Sequence, residues 1–99
     1  MSKLDLYRVG RGRGYVIDLQ TDFLESYSSR VVAPVVPLSD FRSPAKDLNP
    51  VVEIEGEPFV IQTHFLAATP VAALGKPVGR CDVPPEAVTR ALDLLFQGY

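Results

Sequence analysis

The chain is poor in the residues that most often carry chemistry. It has one cysteine, Cys81, in 99 residues. No disulfide can form within it, and a reducing compartment fits it best. His64 is the only histidine. With no second histidine and no cysteine near it in the chain, a zinc-type ligand set has nothing to build on. Tryptophan is absent. An excess of charge of one sign is also lacking: ten basic residues against twelve acidic ones leave a net charge of -2. Bulk attraction to nucleic acid is thereby excluded, and no direct specific binding to it is expected. The longest nearly apolar run, "VVAPVVPL", falls far short of the ~20 residues a membrane span needs. The opening "MSKLDLYRVGRGRG" has no apolar stretch of signal-peptide length. Together these absences predict a soluble, cytoplasmic protein with no metal and no other cofactor.

What is present favours a small folded core. Hydrophobic residues make up 46% of the chain, too many for a disordered segment. The length fits one domain over residues 1–99. Nine prolines are spread along it, which predicts short elements broken by turns and not a helical bundle.

The periodicity agrees. "KLDLYRV" and "YVIDLQTD" alternate in polarity around "GRGRG" and predict a hairpin with a glycine-rich tip. Val16, Asp18 and Gln20 fall on one face, Ile17 and Leu19 on the other. "RVVAPVVPL" is strand-like, with Pro34 expected at an edge, a bulge or the strand's end because it lacks a ladder donor. "PVVEIEGEPFVIQTHFLA" predicts a second hairpin turning at Gly56-Glu57, with Phe59, Ile61, Thr63 and Phe65 sharing a face. "TPVAALGKPVG" reads as a short strand, a turn at Gly75-Lys76 and a brief return. The period then changes. Val88, Leu92 and Leu95 recur at helical spacing over about 84–97, after Pro84-Pro85 and before Gly98. The expected fold is mainly β: roughly five to seven short antiparallel strands and one C-terminal α-helix.

Candidate chemistry is sparse. "GRGRG" lacks the Lys-Ser or Lys-Thr of a phosphate loop. It also lacks the third glycine of a dinucleotide fingerprint, since Tyr15 or Ile17 stands there. It reads as a hairpin tip whose glycines permit positive φ, with Arg11 and Arg13 offered to an acidic partner. His64 is expected as an ordinary strand residue beside Gln62. Cys81, next to Asp82, has nothing local to lower its pKa. Asp18, Asp22 and Glu25 are close in sequence, but on a strand face and in the turn after it such carboxylates ordinarily meet water. The helix end differs. Phe96, Gly98 and Tyr99 exceed what one apolar stripe needs, and aromatic residues at an exposed end are typical anchors of protein interfaces.

In order along the chain, "VIDLQTD", "RVVAPV", "LNPVVEIEGEPFVIQTHFLAATP" and "ALDLLFQGY" resemble the CcdB toxins of bacterial toxin–antitoxin modules. The resemblance covers nearly the whole length. It implies an SH3-like barrel of antiparallel strands closed by a C-terminal helix, in a homodimer. It also implies a non-enzymatic toxin that binds the A subunit of DNA gyrase and traps its cleaved-DNA state. A CcdA-like antitoxin, for which Arg11 and Arg13 are the candidate contacts, would neutralise it. Matched position by position, the gyrase-binding residues are Phe23 and Leu24 in a loop, and Asp93, Phe96, Gln97, Gly98 and Tyr99 at the helix end. Asp93, Phe96 and Gln97 also share one face by helical spacing. The family ends Phe-Trp-Gly-Ile where this chain has Phe96-Gln97-Gly98-Tyr99, so an amide stands where the family stacks an indole on a gyrase arginine.

Two other readings compete. The same barrel serves endoribonuclease toxins of the MazF and Kid kind, for which Arg11, Arg13, Asp18 and Thr21 are the available polar groups. A homologue without toxicity would keep only antitoxin binding.

Overall fold

The computed structural model describes residues 2–10, 12–22 and 27–98. Arg11, Phe23, Leu24, Glu25 and Tyr99, all singled out above, lie outside the described residues. Seven strands are present among those described: β1 (Asp5–Arg8), β2 (Tyr15–Asp18), β3 (Ser29–Pro37), β4 (Val51–Ile54), β5 (Glu57–Ile61), β6 (Ala67–Pro70) and β7 (Gly79–Arg80). One helical turn, α1 (Val71–Leu74), and the helix α2 (Pro85–Gln97) complete the fold. Every pairing is antiparallel. The strand order is β4-β5-β3-β2-β1-β7, with β6 also on β3, and the sheet curls into the half-barrel of an SH3-like fold.

Both expected hairpins form. In the first, Leu6 pairs with Ile17 and Arg8 with Tyr15. Of its glycines, only Gly10, at φ 66°, uses the left-handed region; Gly14 is needed for another reason, since a Cβ there would meet the Val35 carbonyl oxygen at 3.1 Å. In the second, Ile54 pairs with Glu57, so the turn is Glu55-Gly56, one residue earlier than expected. The strand β5 ends at Ile61, and Thr63–Phe65 form a 3₁₀ turn. Thr63 and Phe65 therefore do not continue the Phe59–Ile61 face, and His64 is not a strand residue. The stretch after β6 also differs from expectation, because Val71–Leu74 wind into a helical turn before Gly75.

Pro34 lies inside the longest strand, and the reason is local. One edge of β3 is held by β2 throughout residues 32–35. The other is shared: β6 pairs with Ser29–Val32 and β5 with Val35–Pro37. Residues 33 and 34 fall where one partner gives way to the next. In a strand, a residue's N–H and C=O point the same way. The Pro34 carbonyl accepts the Gln62 N–H at 2.8 Å on this shared side, where the missing N–H would face the Gln62 carbonyl; that carbonyl instead accepts the Phe65 N–H at 2.9 Å.

The strands carry two buried faces. One holds the main core of Leu6, Tyr15, Ile17, Ala33, Val35, Phe59 and Ile61, capped by Val88 of α2. The other holds a smaller cluster of Tyr7, Val32 and Leu74, with Val16 against it, under α1. Asp18 and Arg30 belong to this second face by strand parity. α2 starts on Pro85 without a side-chain cap, and ends at Gly98 with φ 83° and a 3.0 Å bond from its N–H to Leu94.

Candidate functional site

The helix end is one place where the fold leaves apolar surface uncovered. Val88 and Ala91 of α2 are buried, while Leu92, Leu94 and Leu95 are half-buried. Beyond them Asp93, Phe96, Gln97 and Gly98 are exposed, and the Phe96 residue is 70% accessible. The structure therefore brings these four sequence-derived positions together on one exposed helix end. The remaining candidates, Phe23, Leu24 and Tyr99, lie outside the described residues.

The approach to the Phe23-Leu24 segment is built from charge. Asp18 and Arg30 are both 0% exposed. Arg30 Nε donates to Asp18 Oδ2 at 2.8 Å, and Asp18 Oδ1 accepts the Gln20 N–H at 2.9 Å. Arg30 Nη2 donates to the Gln20 carbonyl at 3.1 Å and lies 3.8 Å from Asp22 Oδ1. The bond to Asp18 raises the pKa of Arg30 above its ordinary value, against the opposing effect of burial. Nearby, burial pushes the Tyr7 phenol upward, with Asp5 and Asp18 adding to it. The expectation that Asp18 simply meets water is thus wrong. It faces the second apolar cluster and survives there by pairing with Arg30. Pairing the two from sequence requires the β2–β3 register, which places position 18 opposite 32 and so one step along the same face from 30.

The hairpin tip is engaged within the chain. Arg13 forms an ion pair with Glu57. Arg8 lies over the Tyr15 ring, 4.3 Å from its centroid, and donates to the Tyr15 hydroxyl at 3.2 Å and the Gly12 carbonyl at 3.3 Å. Behind this tip, the open seam between β4 and β7 forms a groove of about 320 Å³ lined by Arg8, Tyr15, Glu53, Glu55, Arg80 and Asp82.

The two residues held as unremarkable are both structural. His64 sits between Phe41 and Phe65, with ring centroids 5.9 and 4.2 Å away. Its Nδ1 is 3.2 Å from the buried Asn49 amide nitrogen, which also donates to the Ile61 carbonyl. Cys81 is buried, and burial together with the charge of Asp82 pushes its thiol up to about 11. A thiol held protonated is a poor nucleophile. Of the polar set considered for ribonuclease chemistry, Arg11 lies outside the described residues, Asp18 is sealed against Arg30, and Arg13 is on an exposed tip paired to Glu57. Among the described residues, no group of acidic, histidine or cysteine side chains is placed to hold a metal ion, and no helix is long and apolar enough to cross a membrane.

Compared with protein-family models, residues 3–98 match the model described as CcdB protein.

Proposed function

The chain belongs to the CcdB family of toxin–antitoxin toxins, and from that premise we propose that it is a non-enzymatic inhibitor of DNA gyrase. It binds the A subunit of the gyrase and traps the complex in its cleaved-DNA state. Residues 1–99 act as one toxin domain in a cytoplasmic homodimer. A CcdA-like antitoxin neutralises it, with Arg11 and Arg13 as candidate contacts. One observation carries the reading: α2 buries Val88 and Ala91 and leaves Asp93, Phe96, Gln97 and Gly98 exposed at its end. An exposed phenylalanine on a rigid helix is a preorganised anchor, because little ordering is left to oppose binding. Phe23, Leu24 and Tyr99 complete the proposed surface.

Gln97 sets the strength of the interaction. An amide offers neither the flat face nor the cation–π attraction of an indole. Loss of such an anchor at an interface centre costs about 2 kcal/mol or more. The test is gyrase-mediated DNA cleavage with the wild type and with Gln97→Trp. Both should accumulate cleaved DNA, and the tryptophan variant should do so at roughly 30-fold lower concentration. If neither protein traps cleaved DNA, the gyrase assignment fails.

A second reading has Gln97 in its favour: a family member that binds only its antitoxin. Growth arrest on induced expression of the wild type excludes it.

A further inference from the structure

The first hairpin carries two described arginines in different states. Arg13 is paired, with Glu57 at the start of β5. Arg8 is held in place but has no ionic partner. Its guanidinium lies over the Tyr15 ring, and its Nη2 and Nη1 donate to the Tyr15 hydroxyl and the Gly12 carbonyl. Among the described residues no carboxylate lies within ion-pair distance of it. Both arginines line one small groove of about 170 Å³, whose walls include the rings of Tyr15 and Phe59 and the side chains of Glu55 and Glu57.

Folding gains little from the pair that is formed. The Arg13 and Glu57 side chains are 63% and 40% exposed, and an ion pair so open to water contributes weakly. What the groove does supply is a guanidinium already fixed in direction. The Tyr15 face and two hydrogen bonds hold Arg8, so an incoming carboxylate has less side-chain freedom to remove. Glu57 shows which chemistry the groove accepts. Its carboxylate, reaching across from the other hairpin, already sits on one of the two arginines. Because that exposed pair is weak, a carboxylate from another chain can displace it, and the newcomer gains Arg8 as well.

We propose that Arg8 and Arg13 form a recognition site for a carboxylate side chain on an acidic segment of the antitoxin, and that Glu57 occupies half of this site in the free toxin as a built-in competitor. The identity of the partner rests on the antitoxin reading above. The site and its competitor do not.

The first probe is hexaglutamate, titrated into the intact protein at low ionic strength, where exposed charges are least screened. Wild type should bind it. Arg8→Gln and Arg13→Gln should each weaken binding about fivefold or more, whereas Arg90→Gln, the same change of charge at an exposed position of α2, should leave it within about twofold. Glu57→Gln should tighten binding about two- to fivefold, the worth of the exposed pair it releases. Removing a negative charge would also help an anion from a distance. The deciding variant is therefore Glu57→Gln in the Arg13→Gln background, where the gain should vanish. These side chains lie at the surface, so the variants should fold as the wild type does. A gain of equal size with and without Arg13 overturns the competitor. Binding that ignores both arginines, or falls equally in Arg90→Gln, overturns the site. The second probe is the antitoxin encoded beside this chain, which should give the same order of affinities. If hexaglutamate keeps that order while the antitoxin is indifferent to Arg8 and Arg13, the site stands and the antitoxin reading falls.

Discussion

Cys81 shows how a single buried group couples the fold to pH. It packs in the main core, and its N–H donates to the Leu4 carbonyl at 2.9 Å. Its thiol is raised from the ordinary 9.0 to about 11, first by burial and then by Asp82. The folded protein therefore holds this proton more tightly than the unfolded chain. Below pH 9 both forms are protonated and the group has no effect. As pH rises through 9 toward 11, the unfolded chain loses the proton first, so stability falls. At about 1.4 kcal/mol per pH unit, that window is worth roughly 3 kcal/mol. Urea unfolding of wild type and Cys81→Ala between pH 8 and 11 isolates it, because all other groups titrate in both. By pH 11 the wild type should lose about 2 kcal/mol more than the variant. Parallel pH profiles would show that Cys81 ionises as easily folded as unfolded.

At the level of elements, the turn of the β4–β5 hairpin carries avoidable strain. Glu55 and Gly56 have φ of 52° and 80°, and positive φ at both central residues is the type I′ pattern favoured by Asn-Gly. Glycine adopts it freely, whereas a glutamate side chain opposes it. Glu55→Asn should raise unfolding free energy by about 0.5–1 kcal/mol, read as a shifted urea midpoint with an unchanged slope. No shift would mean that Glu55 makes a compensating contact. This hairpin was legible because its alternation is local, and so was α2, whose apolar spacing, early proline and final glycine all lie within one segment. Asp18 and Pro34 were not. Each depends on what stands beside it in the sheet: a β3 arginine for one, the exchange of β6 for β5 for the other. Local pattern gives the face of a residue but not the partner across it. The helix-end positions were found by family likeness and spacing, whereas the buried Asp18–Arg30 pair left no signal short of strand register.

Across the whole molecule, the residues that hold the fold and those proposed to act are sorted along one helix. Val88 is 2% exposed, while Phe96 is 70% exposed. Stability and activity should therefore come apart when each is truncated. Val88→Ala removes buried methyl groups and should cost about 2 kcal/mol, lowering the midpoint of thermal unfolding by roughly 10 °C in a domain of this size. Well below that midpoint the protein is still almost wholly folded, so gyrase trapping per molecule should match the wild type. Phe96→Ala removes a ring that already meets water, and its unfolding free energy should stay within about 0.5 kcal/mol. Its trapping of cleaved DNA should fall by more than about tenfold, because the anchor of the exposed end is gone. Measured together, the pair forms a crossed design in which a general loss of folding cannot imitate the second result. If Phe96→Ala instead lowers stability in step with protein concentration, Phe96 is buried between copies of the chain in solution, and the surface that meets gyrase lies elsewhere.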